Sequence, residues 1–142
     1  MDRNSLRKIF DFIEEKESKS SLAYKILNDF DNIRDNELIV NGNLKLSNKN
    51  ITSLPEGLQV EGSLYLSRCT SLTSLPDGLQ VGGSLSLSRC INLTSLPEGL
   101  QVGGDLFVAN TPLAKYTNGD VFLEMIGSNG YIKGIIKRSW RG

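Results

Sequence analysis

The side chains that could do chemistry are few, and most of them recur at one spacing. The 142-residue sequence contains no histidine, so it lacks the commonest general base and the commonest metal ligand. Its two cysteines, Cys69 and Cys90, lie 21 residues apart, as do Arg68 and Arg89. Three carboxylates recur in the same way: Glu56, Asp77 and Glu98. Because a catalytic site does not need copies of itself, this pattern predicts stacked structural layers.

Each recurring group has a structural interpretation and a chemical alternative. We expect the cysteines to be small buried side chains; a disulfide is the alternative, and a zinc site would lack two ligands. We expect the carboxylates on solvated turns, because the glycine- and aspartate-rich signature of calcium-binding repeats is absent. The arginines should pair with carboxylates or water, with binding of an acidic partner as the alternative. The glycine pairs lack a following G-K-[ST], so no phosphate loop is present, and we predict no cofactor and no metal.

A repeat of about 21 residues must position these side chains. A half repeat at 38–50 precedes ITSLPEGLQVEGSLYLSRCTS at 51–71, LTSLPDGLQVGGSLSLSRCIN at 72–92 and LTSLPEGLQVGGDLFVANTP at 93–112. The alternation in SLYLS predicts a strand with Leu64 and Leu66 facing inward and Tyr65 facing outward. One repeat cannot bury its own leucines, so the fixed period predicts a solenoid in which neighbouring repeats bury them.

The apolar positions of the repeats should stack into three inward ladders. The strand ladder is Leu44/Leu46, Leu64/Leu66, Leu85/Leu87 and Leu106/Val108. The next layer is Ile51, Leu72, Leu93 and Leu113, and the opposite wall is Leu54, Leu75 and Leu96 with Leu58, Leu79 and Leu100. Glycines should allow positive φ after each carboxylate, at Gly57, Gly78 and Gly99. A second left-handed turn is assigned to the glycine before each strand: Gly42, Gly62, Gly83 and Gly104.

The pattern LTSLPxGLxVxGxLxLS resembles the leucine-rich repeats of tailed-phage and bacterial proteins, and the LPxxL repeats of secreted bacterial effectors. The resemblance covers about residues 38–113. Phage members of this kind often end in a short helix followed by a segment like NGYIKGIIK, which here occupies 129–137. The resemblance implies an α/β solenoid with one short parallel strand per repeat. It does not imply one activity, because such repeats serve many functions.

The chain divides into a helical N-terminal cap at 1–36, leucine-rich repeats at 37–113, and a C-terminal cap with a basic tail at 114–142. We expect a first helix that begins at Asn4 and carries Leu6, Ile9, Phe10 and Ile13 on one face. We expect a second helix from Ser20 or Ser21 that carries Leu22, Ile26, Phe30 and Ile33 on one face. A helical arm that docks onto a partner is the alternative for this region.

The C-terminal cap should be a helix followed by an edge strand. Thr117 and Asp120 resemble a capping box, and Gly127 should end the helix. The apolar face of this helix is Val121, Phe122, Met125 and Ile126. In the following strand, Ile132 is expected to correspond to Leu106, and Lys133, Lys137 and Arg138 should discourage pairing with another edge.

The outward face of the strands is the candidate binding surface, because repeat proteins commonly bind partners through this face of the sheet. Tyr65 and Phe107 stand out, since exposed aromatic side chains are enriched at interface anchors. The alternative is that each ring packs only on its cross-strand neighbours. The predicted partner-binding residues are Lys45, Tyr65, Ser86, Asp105, Phe107, Tyr131 and Lys133.

These observations predict a non-enzymatic protein–protein interaction module, and the resemblance suggests a phage-type inhibitor of a host or defence protein. A self-assembling, dimeric structural protein is the alternative, and nucleic-acid binding through the basic tail IIKRSWRG is a third hypothesis. The 16 basic and 16 acidic residues balance, so no net field attracts nucleic acid or membrane. There is no apolar run of about 20 residues, and the start is too charged for a secretory signal. We therefore expect a soluble cytoplasmic protein, in a bacterial host if phage-encoded.

Overall fold

The computed structural model describes residues 22–116 and 119–138. Ten two-residue strands follow one another along the chain: β1 (Ile39–Val40), β2 (Leu44–Lys45), β3 (Gln59–Val60), β4 (Leu64–Tyr65), β5 (Gln80–Val81), β6 (Leu85–Ser86), β7 (Gln101–Val102), β8 (Leu106–Phe107), β9 (Tyr131–Ile132) and β10 (Ile136–Lys137). Two helices lie outside the repeats, α1 (Leu22–Asn28) and α2 (Gly119–Ile126). Short 3₁₀ helices span Phe30–Asn32, Asp35–Glu37 and Pro112–Lys115.

The strands form two five-stranded sheets in which every pairing is parallel. Sheet 1 has the order β1-β3-β5-β7-β9, and sheet 2 has the order β10-β8-β6-β4-β2. The predicted solenoid of stacked parallel strands, with a helix before it and a helix plus strand after it, is therefore confirmed. Each turn also contributes a second short strand to sheet 1, which is Gln-Val in the three full repeats and was not predicted from the sequence.

The predicted inward ladders form the core. All the leucine positions of the three ladders are buried, and Leu64, Leu85 and Leu106 have no exposed surface. A fourth ladder joins them from sheet 1, where Val60, Val81 and Val102 are also buried. Each buried side chain stabilises the stack by roughly 1.5–3 kcal/mol before chain entropy is subtracted, and those of the inner turns have a neighbouring turn on each side.

The glycines before the sheet 2 strands are needed for a reason other than the predicted one. The positive φ expected at Gly57, Gly78 and Gly99 is confirmed, with values of 83°, 75° and 76°. Among the four glycines of the second assignment, only Gly42 has a positive φ, at 147°, so the assignment is wrong for the other three.

Close contact between turns is the physical reason for glycine at those three positions. A Cβ on Gly83 would lie 2.5 Å from Ser63 Oγ and 3.1 Å from the carbonyl carbon of Gly62. A Cβ on Gly104 would meet Ser84 Oγ at 2.8 Å and the carbonyl carbon of Gly83 at 3.0 Å. Each turn therefore lies against the preceding one where a side chain would otherwise stand.

The N-terminal region agrees with the predicted second helix only in its first half. Ile26 is buried, and Leu22 and Ile33 pack partly buried against the core. However, α1 ends at Asn28, because Asp29 adopts the non-helical angles φ −150° and ψ 49°. Phe30 is consequently 40% exposed rather than part of the buried face, which corrects that prediction. The predicted first helix lies outside the described residues.

The C-terminal cap closes the other end of the core. Phe122 and Ile126 of α2 are buried, with Met125 partly buried beside them. The predicted stop is confirmed, since Gly127 has φ 73° and donates its N–H to the carbonyl of Leu123 at 3.0 Å. The predicted capping box includes Thr117, which lies outside the described residues.

The predicted register of the last strand is wrong. Ile132 pairs beside Val102 in sheet 1, and it is Ile136 that pairs beside Leu106 in sheet 2. The last turn therefore supplies strands to both sheets, β9 and β10, and α2 is an insertion before them.

Candidate protein-binding face

One row of outward-facing side chains crosses the whole of sheet 2. The paired positions, in order across the sheet, are Lys45, Tyr65, Ser86, Phe107 and Lys137. We call these five residues the sheet 2 row. Lys45 is exposed and the other four are partly buried. The inward leucines that alternate with the row fix its orientation, because successive side chains of a strand point to opposite faces.

The two aromatic rings of the row lie on strands separated by β6. Tyr65 neighbours Ser86 on one side and Lys45 on the other. Phe107 lies between Ser86 and Lys137, and the Nζ of Lys137 lies 5.1 Å from the centre of the phenyl ring. A cation over an aromatic face is attracted by the ring quadrupole, which holds the ammonium group beside the ring. The serine between the rings leaves part of each ring accessible.

A recess opens at the β2 end of the row. It has a volume of about 460 Å³ and is lined by Lys45, Ser47, Lys49 and Tyr65. Two lysines and a tyrosine therefore border the same space. This combination suits a side chain with negative charge, for which lysines supply charge-assisted hydrogen bonds.

The structure does not bring Tyr131 and Lys133 to this face. Tyr131 pairs with Gln101 in sheet 1, and Lys133 follows in the same segment, where its Nζ lies 5.2 Å from the centre of the Tyr131 ring. The cause is the register described above. Lys137 was predicted as a basic residue of the edge strand and of the tail, and sequence reasoning did not include it among the partner-binding residues. Trp140 and Arg141 of that tail lie outside the described residues.

Asp105 is not part of the sheet 2 row, and its side chain accepts a hydrogen bond from the next turn of the stack. Its Oδ1 accepts the backbone N–H of Ile135 at 2.9 Å. The equivalent residues of earlier turns act alike: Asn43 accepts from Ser63 N at 2.8 Å, Ser63 from Ser84 N at 3.0 Å, and Ser84 from Asp105 N at 3.1 Å. We call these four residues the capping ladder. Its signal in the sequence is a short oxygen-bearing side chain between the glycine and the first leucine of the first four sheet 2 strands.

Arg68 and Arg89 occupy left-handed backbone positions directly after sheet 2. Their φ angles are 63° and 65°, and the matching residues of the first and last turns are Asn48 and Asn110, at 65° and 59°. Asparagine tolerates this conformation better than longer side chains do. Both arginines are exposed.

The two cysteines are buried and free, as predicted for small core side chains. Each thiol donates to a carbonyl of the preceding turn, Cys69 Sγ to Leu46 O at 3.1 Å and Cys90 Sγ to Leu66 O at 3.0 Å. Burial raises the pKa of Cys69, and it raises the pKa of Cys90 to about 11. A protonated, enclosed thiol is a poor nucleophile.

The recurring carboxylates lie on exposed turns, as expected. Glu56, Asp77 and Glu98 are all exposed, and an Asp77 oxygen accepts the backbone N–H of Glu98 at 3.2 Å. Within residues 22–116 and 119–138, no cluster of three or more acidic, cysteine or histidine side chains could hold a metal ion. In the same part of the chain, no helix has the length and apolar character needed to cross a membrane.

No family model, no curated protein and no solved structure matches this chain.

Proposed function

We propose that this protein is a non-enzymatic protein-binding module of the leucine-rich-repeat kind, and that it engages one protein partner through the sheet 2 row. The observation that carries the proposal is the placement of Tyr65 and Phe107. Both rings lie in register on the parallel sheet, partly exposed, while the leucines beside them are fully buried. Aromatic side chains fixed in this way supply contact area at a small entropic cost, as interface anchors do.

The remaining chemistry of the chain favours binding over catalysis. The thiols are enclosed in the core, and the recurring carboxylates extend into solvent on separate turns. Histidine is absent from the sequence. A row of two aromatic rings, two lysines and a serine offers a recognition surface rather than an acid–base pair.

The resemblance to repeats of tailed-phage proteins suggests the finer form of the proposal. The partner would then be a bacterial host or defence protein, met in the cytoplasm and blocked by binding. The partner is identified by affinity capture.

The test compares three forms of the tagged full chain in affinity capture from the cells that produce it. We expect Tyr65→Ala combined with Phe107→Ala to abolish retention of the specific partner, since both anchors are removed. Tyr131→Ala is the matched control, because this tyrosine is 40% exposed but lies in sheet 1. The captured partner is then purified and its affinity for each form is measured by calorimetry.

Folding of the variants is checked separately by thermal denaturation. The double variant should melt within a few degrees of the wild type, because both rings are partly exposed and neither fills the core. If the double variant still binds the purified partner with wild-type affinity, the sheet 2 row is not the binding face.

A further inference from the structure

The charges of the repeat region, residues 38–113, are segregated although the whole chain is neutral. All of its basic residues lie in sheet 2 or in the segments directly after its strands: Lys45, Lys49, Arg68 and Arg89. Four of its five acidic residues lie on the return turns or next to β3: Glu56, Glu61, Asp77 and Glu98. The fifth, Asp105, has one oxygen engaged by the N–H of Ile135. The sheet 2 side is therefore basic.

The backbone at the two arginines gives an independent reason to connect this charge with function. A left-handed conformation costs an ordinary side chain roughly 1–2 kcal/mol, and asparagine, which tolerates it, stands at both outer turns. Such unfavourable conformations persist where the surrounding structure holds them, and they cluster at active sites, ligand clamps and switch regions. At the two central turns, the guanidinium groups are thus retained at an unfavourable backbone position.

The basic groups are spread along the whole stack. Lys45 lies on the first strand of sheet 2 and Lys137 on the last, four inter-strand steps away, which is about 19 Å at the usual strand spacing. The recess of Lys45 and Lys49 lies at one end, and Lys137 lies over Phe107 at the other. We call Lys45, Lys49, Arg68, Arg89 and Lys137 the basic face. An extended segment of about six residues would cover this length.

We propose that the partner segment recognised by the basic face is an acidic stretch of protein, with carboxylates that pair with the lysines and arginines while Tyr65 and Phe107 contact its apolar groups. This inference rests on the proposed function and specifies the partner's chemistry. Complementary charge of this kind accelerates the encounter of the two proteins and selects among partners. The attraction weakens as salt is added.

The experiment uses the full chain and a fluorescent 20-residue poly-L-glutamate, with binding followed by anisotropy at low and at physiological salt. Arg68→Asn combined with Arg89→Asn should weaken binding by roughly 2- to 30-fold, the range that two exposed ion pairs supply. The same variant should melt at or above the wild-type temperature, because asparagine suits the left-handed backbone. Lys45→Gln combined with Lys49→Gln is a second loss variant outside the strained positions.

Lys133→Asn is the control, since it removes a positive charge from the sheet 1 side. Its affinity for poly-glutamate should stay within about twofold of the wild-type value. A single-stranded oligothymidylate of 20 nucleotides is the competing probe. The inference is overturned if poly-glutamate does not bind the wild-type chain, or if neither double variant weakens that binding. It is also overturned if Lys133→Asn weakens the binding as much as the double variants do. Tighter binding of the oligonucleotide would assign the face to nucleic acid instead. If any of these occurs while Tyr65→Ala with Phe107→Ala still abolishes partner capture, only the acidic chemistry is wrong and the proposed function stands.

Discussion

At the scale of single residues, this chain uses glycine for two different physical reasons. Gly57, Gly78 and Gly99 provide a positive φ that other residues adopt only with strain. Gly83 and Gly104 have no positive φ, and their missing side chains make room for the preceding turn. The sequence shows both sets as invariant across its repeats, so the pattern alone could not separate a conformational requirement from a steric one.

The steric requirement can be tested at Gly83. Replacing it with alanine should lower the free energy of unfolding by about 1–3 kcal/mol, because the new Cβ meets Ser63 Oγ and the backbone of Gly62. Gly119→Ala is the control, since a Cβ there meets nothing within 4 Å and α2 begins at this residue. Urea denaturation measures the free energy of unfolding of both variants. Equal stability of Gly83→Ala and wild type would show that the turns separate easily at this point.

The buried thiol of Cys90 should make stability depend on alkaline pH. Its pKa rises from 9.0 to about 11 on folding because burial disfavours the thiolate, so the folded state holds the proton more tightly. The thiol's contribution is fully present below pH 9 and is lost as pH rises toward 11. The free energy of unfolding, measured by urea denaturation, should fall in this window less steeply for Cys90→Ala than for wild type. Identical slopes would contradict the buried environment of the thiol.

At the scale of elements, sequence spacing predicted the leucine ladders correctly, because burial follows directly from which positions recur as apolar. It did not predict the strands of sheet 1. A strand of two residues such as Gln59–Val60 leaves no alternation to detect, and its hydrogen bonds depend on the neighbouring turns. The register of the last turn could nevertheless have been predicted from the sequence. Ile132 and Ile136 are four residues apart, as Val102 and Leu106 are, and this spacing identifies Lys137 as the last member of the sheet 2 row.

The C-terminal helix should matter for stability through one face only. Phe122 of α2 is 1% exposed, and its ring packs edge-on against Tyr116 with 6.0 Å between the ring centroids. The adjacent Leu123 is 51% exposed. Phe122→Ala should therefore cost about 3–5 kcal/mol, through lost burial and a cavity. Leu123→Ala is the control and should change stability by about 0.5 kcal/mol or less. Chemical denaturation distinguishes them, and comparable losses in both would mean that α2 is not packed as described.

At the scale of the whole molecule, sheet 2 has an edge strand at each end, β2 and β10, and each edge could pair with a strand of a second copy. Head-to-tail growth would place β2 of one copy beside β10 of another. The row would then bring Lys45 directly opposite Lys137, and like charges at opposed strand positions are destabilising. The capping ladder would also break, because Ile135 stands where Asn43, Ser63, Ser84 and Asp105 supply an oxygen to the next turn.

These two features predict that the wild-type chain does not grow through this edge. Light scattering should give the monomer mass of 15.6 kDa with no rise in mass at higher concentration. Ile135→Ser combined with Lys137→Glu restores a capping oxygen and places opposite charges at the joint, so this variant should associate as its concentration rises. Ile91→Ser is the control, because Ile91 is 57% exposed in the turn after β6 rather than on a terminal strand. A wild-type mass that rises with concentration and falls back when Ile135 and Lys137 are changed would mean that this end is a self-assembly edge.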